Sequence, residues 1–322
     1  MSKTGIILAQ LGGPRDQKEV EPFVRAIFAD PDLVPIPGGP AVSKAFGWLV
    51  AKARGPFVRR NYRLIGGGSP IMEITLAQAR MLQATLNERG HDAEVAVAMR
   101  YTRPDTYDAV RSLVRANVDR IILLPLYPQY SRATTGSSEN ELRRVLEELN
   151  VAVPLDVVRT WYDHPSYLDF QAKLVTEMLE TRPHDQRDGA AVLFSAHGLP
   201  RSVVAKGDPY PEETAATVKA VVDRIPYSID ARLGYQSRTK PVKWIGPGTE
   251  HVLADFAGDG FDTVGMVAIS FVTDHIETLY EVDMLFRDAA EEVGIRTYYR
   301  SEMMNDRPEV GPMLADVLED SL

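Results

Sequence analysis

The chain has 322 residues, 44% of them hydrophobic and 25% charged, with a net charge of −9. That is enough sequence for two globular domains of ordinary size, and the acidic balance argues against a general nucleic-acid binder. With no cysteine, the chain has no disulfide, thiolate metal site, cysteine nucleophile or cysteine-ligated iron–sulfur cluster.

Residues 6–11 are a short apolar run closed by Gly12, Gly13 and Pro14, which predicts a strand that starts the fold. Pro14 removes a backbone donor that a phosphate cradle would use, so these glycines are weak evidence for a nucleotide site. No signal-peptide pattern is read ahead of the strand, and no apolar run approaches the roughly 20 residues that span a bilayer. A cytoplasmic protein is the expectation. Residues 19–29 have helical spacing, with Val20, Phe23, Val24 and Ile27 on one face. Asp30, Pro31 and the proline cluster at 35–40 then break the chain.

Between Asp32 and Glu73 there is no acidic residue, in a chain that has 45 of them. The interval holds Lys44, Lys52, Arg54, Arg59, Arg60 and Arg63, interleaved with Phe46, Trp48, Leu49, Val50 and Phe57. Two readings stand equally: a basic, aromatic surface for anionic groups or a membrane interface, centred on residues 41–60, or a surface helix whose apolar side faces the core. The turn GGGSP at 66–70 follows.

The chain then alternates. Residues 74–88 read as helix, 94–101 as strand, 104–116 as helix with Pro104 in its first turn, and 120–127 as strand. A hydroxyl-rich loop over 130–138 opens a helix at 139–149. Residues 154–165 mark a transition, residues 166–179 form a helix, and residues 181–188 form a polar linker. The second half repeats the scheme, with strands at 190–194, 232–235 and 263–271 and helices at 211–224, 249–256 and 274–293. A last helix at 313–318 is expected to fold back. Strand and helix in alternation predict an α/β protein of two similar Rossmann-like, doubly wound domains, each with a parallel four-stranded sheet, facing across a cleft. The domains are expected at 1–160 and 161–322, with the C-terminal extension packed on the first.

Two strand ends carry the chemistry. The run at 190–194 leads directly to His197 in the stretch LFSAHGLP at 193–200, and ligands bind at the carboxyl ends of strands in open α/β sheets. The run at 263–271 leads to Asp274, Glu277 and Glu281, placed by helical spacing along one side without Lys or Arg among them. Thr273 or Asp274 is positioned to cap that helix. An imidazole with carboxylates binds a divalent transition metal such as Fe2+, and the same groups accept protons near neutrality. A third constellation, from Tyr235 to Arg238 and from Lys240 through Trp244 to Pro247, adds a flat aromatic and hydrogen-bonding groups. With Arg100, Tyr101, Tyr127 and Tyr130, it predicts an aromatic, locally cationic lining suited to a large planar ligand bearing carboxylates.

Ten motifs, in order along nearly the whole chain, make it resemble the ferrochelatases, which insert Fe2+ into a porphyrin in haem biosynthesis. In the first half they are LGGP at 11–14, GGGSP at 66–70, MRY at 99–101 and PLYPQYS at 125–131 with TTGSS at 134–138. In the second half they are SAHGLP at 195–200, GDPY at 207–210, YQS at 235–237, WIGP at 244–247 and DHIETLYE at 274–281.

The resemblance implies that His197 and Glu277 handle metal and accept protons, with Asp274 and Glu281 continuing a polar path. It also implies that Leu11, Arg100, Tyr101, Tyr127, Trp244 and Phe271 line the porphyrin site and that residues 41–60 form a lip able to approach a membrane. Fe2+ enters as substrate, and no iron–sulfur cluster is expected. Leu285 stands where some relatives continue the acidic row, so the path is shorter here. Leu11 stands where relatives acting on coproporphyrin carry Tyr, which favours protoporphyrin IX. The alternatives are a coproporphyrin III ferrochelatase, a chelatase of the same fold acting on another tetrapyrrole, and a non-catalytic haem- or porphyrin-binding module.

Overall fold

The structure is a computed structural model and describes residues 3–34, 36–237 and 242–322. Its two compact units do not divide at a single cut near residue 160. The first runs to Tyr127, resumes over Ser131–Arg159 and ends with Asn305–Leu322. The second comprises Pro128–Tyr130 and Thr160–Met304.

The first unit is built on a parallel sheet of β1 (Thr4–Gln10), β2 (Ala93–Met99), β3 (Arg120–Pro125) and β4 (Leu155–Val157), in the order β2-β1-β3-β4. Every residue of β1 is buried, as befits a central strand covered on both faces. The second unit repeats the order as β6-β5-β7-β8, with β5 (Ala190–His197), β6 (Ile229–Gln236), β7 (Thr263–Ala268) and β8 (Thr297–Arg300). In each sheet the chain winds to one side of its first strand and then to the other. The switch point lies between β1 and β3 in the first unit and between β5 and β7 in the second, which is where such sheets open for ligands.

Several strand and helix ends lie away from their expected places. β5 continues to His197 itself, whereas β7 stops at Ala268, before the expected 271. Two of the four edge strands, β4 and β8, are too short for periodicity to expose. Pro104 does not enter its helix. The cap of Thr106–Arg115 is Asp105, which accepts from the Asp108 amide at 2.9 Å while Asp108 reciprocates.

The acid-free segment is one long helix, Gly39–Leu64, with Pro40 in its first turn. Its packing face is made of small residues four apart, Ser43, Gly47, Ala51 and Gly55. A Cβ at Gly47 would come within 2.6 Å of the Arg25 carbonyl oxygen, so the helix Val20–Ala29 can approach only because that atom is absent. Lys52 and Arg59 both pair with Glu21, at 2.6 and 2.8 Å. Trp48, Leu49 and Phe57 are more than half exposed, so these apolar side chains are not the core-facing side.

The C-terminal helix, Val310–Leu318, packs on Ile71–Glu88. Gln78 donates to the Asn305 carbonyl at 2.7 Å, Arg89 pairs with Asp316 at 2.7 Å, and Arg120 donates to the carbonyls of Ser321 and Leu322, each at 2.7 Å.

Candidate active site

His197 is the last residue of β5, in register with Gln236 of β6. Beyond Ser195, β5 and β7 no longer pair as strands, and the His197 amide instead donates to the Ser270 hydroxyl at 3.1 Å. The imidazole therefore stands in the switch-point opening of the second unit. Its Nδ1 lies 2.6 Å from Glu277 Oε2.

Glu277 begins a π-helical segment, Glu277–Leu285, which passes into the α-helix Phe286–Glu292. The expected α-helix over 274–293 is thus wider in its first part, and no side chain caps it. The turn before it is closed by Thr278, whose hydroxyl accepts from the His275 amide at 2.9 Å and donates to the His275 carbonyl at 3.0 Å. A turn closed by i→i+5 bonds holds more than four residues. A four-residue step is then nearly one turn, and Glu281 stays on the same side as Glu277.

Two residues of the YQS stretch join the carboxylates. Ser237 Oγ donates to Glu281 Oε2 at 2.7 Å and lies 3.3 Å from Glu277 Oε2. Gln236 Nε2 reaches Glu281 Oε2 and the Glu277 carbonyl, at 3.3 and 3.2 Å. The Ser195 hydroxyl donates to Gln236 Oε1 at 2.7 Å, which sets the amide's orientation. Ser237 has a φ of +59°, a left-handed conformation that costs a non-glycine residue about 1–3 kcal/mol and recurs at functional sites.

These contacts separate the acidities. Burial alone would lower the His197 pKa, but the Glu277 carboxylate outweighs it and raises the imidazole above its ordinary value. Glu277 is itself buried, which raises its pKa, yet His197 prevails and draws it down to about 2. Glu281 is pushed up to about 7, by burial first and then by the neighbouring Glu277 charge. Two carboxylates one turn apart thus hold different protonation states near neutrality, the pattern of an acid–base site. Because ionised Glu277 can only accept, Nδ1 carries the proton of that bond, and Nε2 is the nitrogen that Glu277 does not engage.

The other expected residues fall into separate settings. Asp274 pairs with Arg300 at 3.2 Å, so the acidic row is not free of basic partners. Phe271 packs edge-on against the buried His275, with ring centroids 4.5 Å apart. Burial lowers the His275 pKa, and its Nδ1 lies 3.1 Å from the Thr273 carbonyl. The half-buried Trp244 forms a bridge with Pro200, with Ile245 donating to Leu199 at 2.9 Å and Arg201 donating to Lys243 at 2.8 Å. These bonds tie Trp244 to the loop that follows His197. Arg238 and Lys240, expected in the same constellation, lie outside the described residues.

In the first unit, Leu11 and Tyr127 flank the β1/β3 switch point. The amides of Arg100 and Tyr101 donate to the carbonyls of Gln10 and Leu11, at 2.8 and 3.1 Å. The Tyr127 hydroxyl is buried and has no hydrogen-bond partner among the described residues. Arg100 does not make this region cationic. Its Nη2 meets Asp30 Oδ2 at 2.7 Å, and the same oxygen accepts from the Tyr101 hydroxyl at 2.6 Å and the Ser137 hydroxyl at 3.2 Å. Asp30 is the functional candidate that sequence reading missed. An aspartate before a proline at a helix end looks like a breaker, and nothing in its neighbours announces a buried counter-charge. Among the described residues, no three His, Cys, Asp or Glu side chains gather as a metal cage.

The ferrochelatase family model matches residues 3–322. The chain belongs to the ferrochelatase family. A ferrochelatase of Synechococcus sp. (strain JA-3-3Ab) is 42% identical over 311 residues, covering 96% of this chain and 90% of that one. The ferrochelatase of Geotalea daltonii is 42% identical over 318 residues, covering 98% and 97%. Among solved structures, SirB from Bacillus subtilis with Fe3+ aligns with a TM-score of 0.55 at 12% identity, covering 100% of this chain and 96% of that one. At that identity the likeness shows the fold. The ferrochelatase activity is that of a lyase inserting metal into a porphyrin in haem biosynthesis, with iron as substrate. No helix among the described residues is long and apolar enough to cross a membrane.

Proposed function

We propose that this ferrochelatase inserts Fe2+ into protoporphyrin IX, with His197, Glu277 and Glu281 managing the exchange of two pyrrole protons for the metal. The observation that carries this reading is the His197–Glu277 contact of 2.6 Å at the β5/β7 switch point, backed by a second carboxylate of quite different acidity. Metal insertion needs groups that bind a dication while surrendering protons, and then groups that take protons from the ring. A raised pKa makes His197 a strong acceptor once it is neutral, and an arriving dication favours that neutral form. His197 Nε2 then takes the two pyrrole protons in turn, giving up the first before it accepts the second. Glu277, ionised throughout, orients the imidazole and faces the metal. Glu281, which titrates near neutrality, passes protons outward through Ser237.

Leu11, Arg100, Tyr101, Tyr127, Trp244 and Phe271 are the proposed porphyrin contacts. The apolar Leu11 suits the vinyl-bearing edge of protoporphyrin better than the additional carboxylates of coproporphyrin. Fe2+ is a substrate in this scheme, and the cysteine-free chain works without an iron–sulfur cluster.

We further propose that the exposed Trp48, Leu49 and Phe57, beside the exposed Lys44, Arg60 and Arg63, rest on an anionic membrane surface.

The test of substrate is anaerobic incubation with Fe2+ and either porphyrin, followed by visible spectroscopy. Catalytic loss of the free-base bands is expected with protoporphyrin IX. Faster turnover of coproporphyrin III would overturn the substrate assignment, and no turnover of either would overturn the whole reading.

A further inference from the structure

The π-helical segment that carries Glu277 and Glu281 is not held by its own hydrogen bonds alone. Arg300, the last residue of β8, forks onto Asp283, with Nε 2.7 Å from Oδ1 and Nη2 3.1 Å from Oδ2. Its Nη1 lies 3.2 Å from Asp274, which precedes the segment. Glu277 and Glu281 sit in the stretch bounded by these two attachment points. The same strand adds a further tie, since the Tyr298 hydroxyl donates to the Val282 carbonyl at 2.5 Å. The Arg300 side chain is only 14% exposed, so its fork is shielded from competing water. Arginine suits this role because a planar guanidinium presents several donors at once, whereas a lysine ammonium is a single point charge.

We propose that Arg300 is a positioning residue for metal insertion, setting the placement of Glu277 and Glu281 by anchoring Asp274 and Asp283 to the edge of the sheet. It touches neither porphyrin nor metal. Its effect is on the step that depends on where the two glutamates stand, and porphyrin affinity is independent of it. The inference rests on the reading of Glu277 and Glu281 as the working carboxylates.

The test compares R300K, R300Q and D283N with the parent full-length chain and with E277Q. Three quantities are measured for each: the porphyrin dissociation constant by fluorescence quenching, the KM for Fe2+ and kcat. R300Q and D283N are expected to bind porphyrin within about twofold of the parent while kcat/KM for Fe2+ falls roughly 10- to 100-fold, since small misplacement of reacting groups costs on that order. R300K, which keeps the charge and loses the fork, should recover only part of that loss. A folding defect would instead weaken porphyrin binding and metal use together, and D283N, nearly isosteric, guards against that outcome. If E277Q is inactive while R300Q and D283N keep parental kcat/KM for Fe2+, the positioning role is wrong. If E277Q itself turns over normally, the underlying reading of the site fails instead.

Discussion

His197 and Glu277 meet at 2.6 Å although 80 residues separate them in the chain. One ends a central strand, and the other opens the π-helical segment beyond the neighbouring strand. Each shifts the other, so that the carboxylate stays ionised and the imidazole binds its proton more tightly. Removing either partner should therefore damage the chemical step far more than porphyrin binding. H197A and E277Q are each expected to lose about 100- to 10,000-fold in kcat, the usual range for a general acid or base. Steady-state assays with both substrates varied separate this from a binding defect.

Glu281 provides a pH signature. Its pKa is pushed up to about 7 in the folded protein, above the ordinary 4.5 of a glutamate. Folding therefore favours the protonated form, and the stability associated with that proton is complete below about pH 4.5 and lost as the pH rises through 7. E281Q, which cannot ionise, should escape that loss. Urea titrations should show the variant gaining on the parent between pH 4.5 and pH 8, by at most about 3 kcal/mol. A constant difference across this range would contradict the assignment.

Asp30 is the corresponding test in the first unit. Three donors converge on its Oδ2, and its side chain is 4% exposed. D30A leaves the Arg100 guanidinium buried without its principal counter-charge. Such a change is expected to cost about 3–5 kcal/mol of stability. D30N keeps the volume and should lose less, and denaturant midpoints rank the two.

Gly47 tests the long basic helix. A methyl group there would be forced against the Arg25 carbonyl, and overpacking of this kind costs about 1–3 kcal/mol. G47A should lower the thermal midpoint while leaving the His197–Glu277 contact of the second unit untouched. On the outer face of the same helix, a combined W48S, L49S and F57S variant should lose sedimentation with anionic vesicles and keep its activity in detergent.

Much of this was legible in the sequence, and the physical reasons are visible at particular residues. Buried parallel strands are continuous apolar runs, so β1, β3, β5 and β7 stand out, with His197 ending one of them and Glu277 in the segment that follows another. Glu281 follows from helical spacing, which survives the change from α to π geometry. The π segment itself is invisible to periodicity, because both helix types place these two glutamates on one side. The edge strands β4 and β8 are three and four residues long, too short for an alternating pattern to register. Partners brought from remote chain, such as Asp30 for Arg100 and Arg300 for Asp274, leave no local signal.

In the proposed reaction the His197–Glu277 pair performs the exchange of protons for metal. Single-turnover mixing of anaerobic Fe2+ with the enzyme preloaded with protoporphyrin IX tests it most directly, comparing the parent with H197A and E277Q. Both variants are expected to retain the porphyrin, by its fluorescence, and to fail to convert its free-base spectrum on the parental timescale. Conversion by either variant at the parental rate would contradict it.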